Sequence, residues 1–134
     1  MSERREILFR GQTRRKGEKV RISGEPVDSN WVYGGIFPGE GDFSIIYQTK
    51  PKIEKFTVYS DTVGQFTGLT DKNGTRIFEG DIIEYEGERY SINYLTRYAR
   101  FSAVKPKTVF CVFAYQCGEV IGNIHDNPEL LKGE

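Results

Sequence analysis

The sequence predicts a mainly β fold: a small SH3-like barrel over about residues 63–124, extended by N-terminal strands and closed off by a short C-terminal helical turn. Three observations carry that prediction. Apolar and polar residues alternate with a period of two through much of the chain, the mark of half-buried strands. Fifteen glycines are scattered among nine Phe and eight Tyr, so short strands are parted by turns at spacings of roughly 8–12 residues. No stretch of about ten residues holds a 3.6-residue period, which leaves no long helix to place.

The elements follow in order. Glu6-Ile7-Leu8-Phe9-Arg10 reads as a first short strand ended by Gly11. Gln12 to Asn30 is polar and basic, punctuated by Gly17, Gly24 and Pro26, and reads as a long loop or irregular hairpin. Trp31 to Phe37 is a second strand whose Gly34-Gly35 pair marks a bulge or a close backbone crossing. Phe43 to Gln48 and Lys55 to Ser60 are the next strands, the latter with Phe56, Val58 and Ser60 on one face.

Val63 to Tyr85 is the most densely specified block. Val63 to Leu69 is extended, and Asp71-Lys72-Asn73-Gly74 is a turn, Asn-Gly being the pair best suited to the positive φ angles of a hairpin. Thr75 to Phe78 returns as the partner strand, Glu79-Gly80-Asp81 turns again, and Ile82 to Tyr85 is another strand. Glu86-Gly87-Glu88 then leads into Arg89 to Leu95, whose alternation places Tyr90, Ile92 and Tyr94 together. Between Leu95 and Thr108 the pattern assigns no element. Thr108 to Tyr115 and Glu119 to Ile124 read as a last pair around Gln116-Cys117-Gly118. Asn127 as an N-cap with Pro128 at the first helical position predicts the terminal turn. No linker-like segment divides the chain, so residues 1–134 read as one domain.

Composition narrows the class. The 134 residues hold 19 basic and 19 acidic side chains, a balance that argues against disorder driven by net charge. No apolar run reaches the ~18 residues of a membrane span, and no apolar core follows the charged N-terminus as a secretory signal requires. Cys111 and Cys117 are too few for a disulfide framework and read as two reduced thiols in a cytosolic protein.

At this point the chain resembles the YopX family of bacteriophage and prophage proteins. The resemblance rests on Arg5 to Gly11, on Trp31-Val32-Tyr33-Gly34, and above all on Val63 to Gly74 with Phe78-Glu79-Gly80-Asp81-Ile82. Val120 to Leu131 is similar to the family's terminus. The segment from Gln12 to Asn30 departs from it, being longer and more basic than the family's short connection. The resemblance implies a mostly β phage protein at work in the cytoplasm of the bacterial host. It implies no particular activity, so no functional residue carries over.

Residues with chemistry are few and poorly placed for it. His125 is the only histidine, and a Cys-His nucleophilic pair with Cys111 or Cys117 competes with a plainer reading. Cys111 alternates with Phe113 and Tyr115 as a buried strand residue does, and Cys117 falls in a turn. Two Cys six residues apart and one His fall short of a zinc set. Asp71, Glu79, Asp81 and Glu84 are turn and strand-mouth carboxylates; the Asp71–Gly74 loop has some of the look of a calcium loop, but its glycine comes two positions early. Gly34-Gly35 and Gly39-Glu40-Gly41 lack the Lys-Ser/Thr pair of a phosphate-binding loop. No catalytic residue, cofactor or metal is expected.

The one functional hint is basic. Eight basic residues between Arg4 and Arg21 face only Glu6 and Glu18. Arg97, Arg100, Lys105 and Lys107 have no acid among them and are interleaved with Tyr98 and Phe101, the combination of cations and stacking rings that single-stranded nucleic acid uses. Balanced overall charge weakens long-range attraction to phosphate. The expectation is therefore a non-enzymatic binding or assembly module that engages a protein partner or itself as a homo-oligomer, with no membrane association. The alternative is nucleic-acid binding through Arg97, Tyr98, Arg100, Phe101, Lys105 and Lys107.

Overall fold

A computed structural model describes residues 6–13, 31–37, 39–49, 51–105 and 117–131, and residues 108–111 as main chain. The chain is mainly β, as expected, in antiparallel ladders. Its strands are β1 (Phe9–Gln12), β2 (Trp31–Phe37), β3 (Phe43–Gln48), β4 (Glu54–Tyr59), β5 (Gly64–Thr70), β6 (Arg76–Phe78), β7 (Asp81–Tyr85), β8 (Glu88–Leu95), β9 (Arg100–Lys105), β10 (Thr108–Cys111) and β11 (Glu119–Asn123). Packing divides the chain into two compact units, Met1–Gln65 and Phe66–Glu134, with the division falling inside β5. The long connection expected from Gln12 to Asn30 lies, after Thr13, outside the described residues.

In the first unit the ladder order is β4-β3-β2-β1, and β1 also pairs with the start of β5. Val32, Ile46 and Val58 form the core, packed against by Phe9, Ile36, Phe56 and Val63. The first strand begins later than the sequence predicts and runs through Gly11 without ending there. Gly11 pairs with Val32, and a Cβ on it would come within 2.9 Å of the Val58 side chain, so this is a packing glycine in the strand. The Gly34-Gly35 pair does mark a close crossing. A Cβ on Gly34 would stand 2.0 Å from the Tyr47 carbonyl oxygen, and the Tyr47 ring lies over Gly35. The unit is tied off by Thr62, whose Oγ1 accepts from Gln12 N at 2.9 Å and donates to Tyr59 O at 2.6 Å.

In the second unit Ile77, Ile83, Tyr90, Ile92 and Ala103 form the core, joined by Leu69, Tyr85, Phe101 and Val120. Its sheet order is β10-β9-β8-β7-β11. Among the described residues this sheet is open, so the SH3-like barrel expected over residues 63–124 is not closed. The cause is strand pairing: β10 returns on β9 and β11 adds to β7, so the two segments expected to pair lie on opposite edges. Arg100–Lys105, given no element by the pattern, supplies the intervening strand. Its Phe101 and Ala103 face Tyr94 and Ile92 across the ladder. The predicted C-terminal turn is present as a 3-10 helix at Pro128–Leu131, and Leu130 N donates to Asn127 O at 3.0 Å.

The Asp71–Gly74 turn joins β5 to β6 as predicted, with Gly74 N donating to Asp71 O at 3.0 Å. Only Gly74 takes a positive φ, at 81°; Asn73 does not. The paired positive angles of a two-residue hairpin occur instead at Glu86 (52°) and Gly87 (79°), between Tyr85 and Glu88. No atom lies within 4 Å of a Cβ placed on Gly74, so substitution there is penalised by the backbone alone. Gly74→Val is expected to cost about 1–2 kcal/mol in chemical denaturation, and Gly74→Asn markedly less. Equal denaturation midpoints for wild type and the Val variant would contradict that turn geometry.

Among the described residues no helix is long and apolar enough to cross a membrane.

Candidate interaction surfaces

Two of the carboxylates singled out from the sequence, Asp71 and Asp81, accept from the backbone. Asp71 is 5% exposed. Its Oδ1 accepts from Asn73 N at 2.8 Å and Thr75 N at 2.9 Å, and its Oδ2 accepts from Val120 N at 2.9 Å. Burial pushes its carboxyl up, but the three backbone donors and nearby Lys72 outweigh that and hold it below the ordinary value of 3.8. Lys72 N donates to Gly118 O and Asn73 Nδ2 to Glu119 Oε1, so the whole turn is fastened to the start of β11. Asp81, also buried, accepts from Phe78 N at 2.7 Å. Glu84 meets Arg89 at 3.4 Å. These groups are spread over separate turns and strands.

The C-terminal motif is structural in the same way. Asn123 Oδ1 accepts from His125 N and Asp126 N, while Asn127 Oδ1 accepts from Asn123 N. Arg89 Nη1 donates to Leu130 O at 3.1 Å, fixing the terminal turn against β8. Cys117 is exposed and free. The side chain of Cys111 lies outside the described residues, and with it the expectation that this thiol is buried. Among the described residues no three His, Cys, Asp or Glu side chains gather as metal ligands do.

Of the six candidate nucleic-acid residues, three come together. The four-residue connection Thr96–Ala99 caps the β8–β9 hairpin, with Tyr98 N donating to Leu95 O and Ala99 at φ 51°. There the Tyr98 ring is 47% exposed and flanked by two guanidiniums, Arg100 at 4.9 Å and Arg97 at 5.7 Å from its centroid. Phe101 follows Arg100 on the strand and therefore points to the opposite face. It packs on the core and stacks edge-on with Tyr94 at 5.2 Å. Lys105 sits at the far end of β9, ion-paired with Glu88 and 5.7 Å from the Tyr90 ring. Lys107 lies outside the described residues. Of the N-terminal basic run only Arg10 is described; it is 7% exposed and its guanidinium lies 4.6 Å over the Trp31 ring.

A larger surface escapes the sequence reading. Cross-strand partners share a face, so the register fixes which side chains stand together. Ile36, Ile46, Phe56, Ser44 and Val58 face inward. The opposite face of the same three strands carries Phe37 beside Ile45, Phe43 beside Tyr59, and Tyr47 across from Gly35 and Lys55. Phe43 and Tyr59 rings meet at 5.1 Å. Phe37 is 68% exposed, Phe43 49%, Tyr47 40% and Ile45 39%, with Tyr33 at 44% farther along β2. The available signal was Phe43-x-Ile45-x-Tyr47 interleaved with Ser44 and Ile46: an apolar pattern on both faces, from which period two alone does not say which is outside.

Fold and surface together define a mainly β protein whose polar signature residues build turns and whose β2–β4 face exposes several rings. The chain belongs to the YopX protein family, the model of which matches residues 39–132. It is similar to the crystal structure of protein EF1440 from Enterococcus faecalis, with a TM-score of 0.52 and 27% identity, over 94% of this chain and 98% of that one. No curated protein matches the chain.

Proposed function

We propose that this protein is a non-enzymatic binding module that engages a protein through the outer face of β2, β3 and β4. The phage or prophage origin and the cytoplasmic site of action implied by the family belong to this reading. The observation that carries it is the exposed aromatic face, Tyr33, Phe37, Phe43, Ile45 and Tyr47, on an otherwise well-packed sheet. Taking about 200 Å² per large side chain, these leave roughly 450–500 Å² of apolar surface in one patch. A patch of that size matches the largest apolar patch of a typical monomer, which is often the functional one. Support for a non-enzymatic role comes from Asp71, both of whose oxygens accept from backbone donors, and from Asp81, whose Oδ2 does.

The hairpin tip favours a second reading, nucleic-acid binding, because Tyr98 between two guanidiniums is a stacking site with cations. A photo-crosslinking amino acid placed singly at Phe37 or at Tyr98, irradiated in host cells, separates the two. The expected result is a protein adduct of defined mass at position 37 and no nucleic-acid adduct at position 98. Nucleic acid on position 98 with nothing on position 37 would reverse the assignment.

A further inference from the structure

We propose that the occupant of this face is the same face of a second copy of the chain, the two packed as an isologous pair with their β3 strands antiparallel. This rests on the reading that the outer face of β2, β3 and β4 docks a protein, and it names that protein.

Charge is distributed along the face in a self-complementary way. At the Phe43 and Tyr59 end the exposed rim residues are Glu40, Asp42 and Asp61. At the Tyr47 end the rim carries Lys55, directly across the ladder from Tyr47, and Lys52, with Glu54 the acid between them at 3.7 Å from Lys52. A two-fold axis lying between the sheets and across the strands, at the level of Ile45, sets the acidic end of each copy over the basic end of the other. A two-fold running along the strands would instead stack acid on acid. The first arrangement is the one that electrostatics selects. An acidic rim also disfavours a polyanion as occupant.

The side chains suit that arrangement. Phe37, Ile45 and Thr57 share one level of the ladder, so at the axis Phe37 and Ile45 meet their own counterparts. Phe43 and Tyr59 of one copy then lie over Tyr47 and Lys55 of the other. Because Gly35 has no side chain, the Tyr47 ring lies down on it, which keeps the face low enough for a second sheet to approach to the usual ~10 Å. The area is also of the right order. A standard interface buries about 800 Å² per partner, of which about 55–65% is apolar, or roughly 450–500 Å². The exposed rings supply that core, and the charged ends supply the rim.

Sedimentation of the full-length chain across a concentration series tests this directly. The expected result is a dimer that resists moderate salt, and a monomer for Phe37→Ser with Ile45→Ser that unfolds cooperatively, at the temperature of wild type diluted until it is monomeric. Lys55→Glu alone and Asp42→Lys alone should each weaken the dimer about tenfold. An equimolar mixture of those two variants should regain it, since each mismatched pair is then restored to opposite sign. A dimer that survives the Phe37/Ile45 substitutions, or charge variants that fail to rescue one another, would overturn the proposal. A monomer whose position 37 crosslinks to a different protein overturns the self-association alone. A monomer without any adduct at position 37 overturns the docking function as well.

Discussion

Replacing Asp71 with Ala is expected to lower stability by about 3 kcal/mol, measured as a shift in urea midpoint at unchanged slope. Three backbone N–H groups lose their acceptor together: Asn73 and Thr75 within the turn, and Val120 on β11. Water can replace the carboxylate for the first two, which are exposed, but Val120 is half-buried and joins the turn to a strand 49 residues away. Asp71→Asn should cost about half as much, retaining the Oδ1 bonds while turning an amide toward the Val120 donor. The same residue sets a pH dependence. Its folded-state carboxyl titrates below the unfolded value, so its contribution is complete well above pH 3.8 and is lost as the pH falls through the lowered value. Stability should therefore drop on acidification below about pH 4 in wild type and drop less steeply in Asp71→Asn. An Ala variant as stable as wild type, or parallel acid profiles for the two chains, would remove Asp71 as the fastening of this turn.

Gly34→Ala is expected to be comparably damaging, by about 3 kcal/mol or a fall in melting temperature of roughly 10 °C. The added Cβ would stand 2.0 Å from the Tyr47 carbonyl oxygen and 2.7 Å from its carbon, so relief requires β2 and β3 to separate. Gly35→Ala is the control. Its Cβ would meet the far end of the Tyr47 ring at 2.5 Å, and that ring can swing outward, at about 1 kcal/mol. Differential scanning calorimetry of the two variants should show Gly34 the more costly by a clear margin. The opposite order would mean that the strands crossing at Gly34 are not held as close as the structure has them.

Much of the chain was legible in order. Period-two alternation located β2, β3, β4, β7 and β8 within a residue or two, because it reflects a local property of the pleat. Asn127-Pro128 marked the terminal turn for an equally local reason, the fixed φ of proline, although the Asn127 side chain expected to cap that turn accepts instead from Asn123 N upstream. Asp71–Gly74 was recognised as a turn, yet which residues take positive φ was not. Asn-Gly is the better local candidate, but Asp71 draws the Asn73 and Thr75 amides to one oxygen and leaves only Gly74 in the left-handed region. Two-residue pairing of β7 with β8 forces Glu86 there instead.

Local pattern was thus enough for the class of structure, the positions of most strands and turns, and the family. Partner choice needed the tertiary structure. Whether β11 closes on β10 or adds to β7 depends on contacts tens of residues apart, and on β9 occupying the open side of β8. The outer aromatic face is of the same kind. Phe43, Ile45 and Tyr47 alternate with Ser44 and Ile46 on one strand, and composition gives no reason to bury the second set and expose the first. That decision falls to Val58 and Val32, which pack with Ile46 and seal one side, leaving the rings of the other exposed.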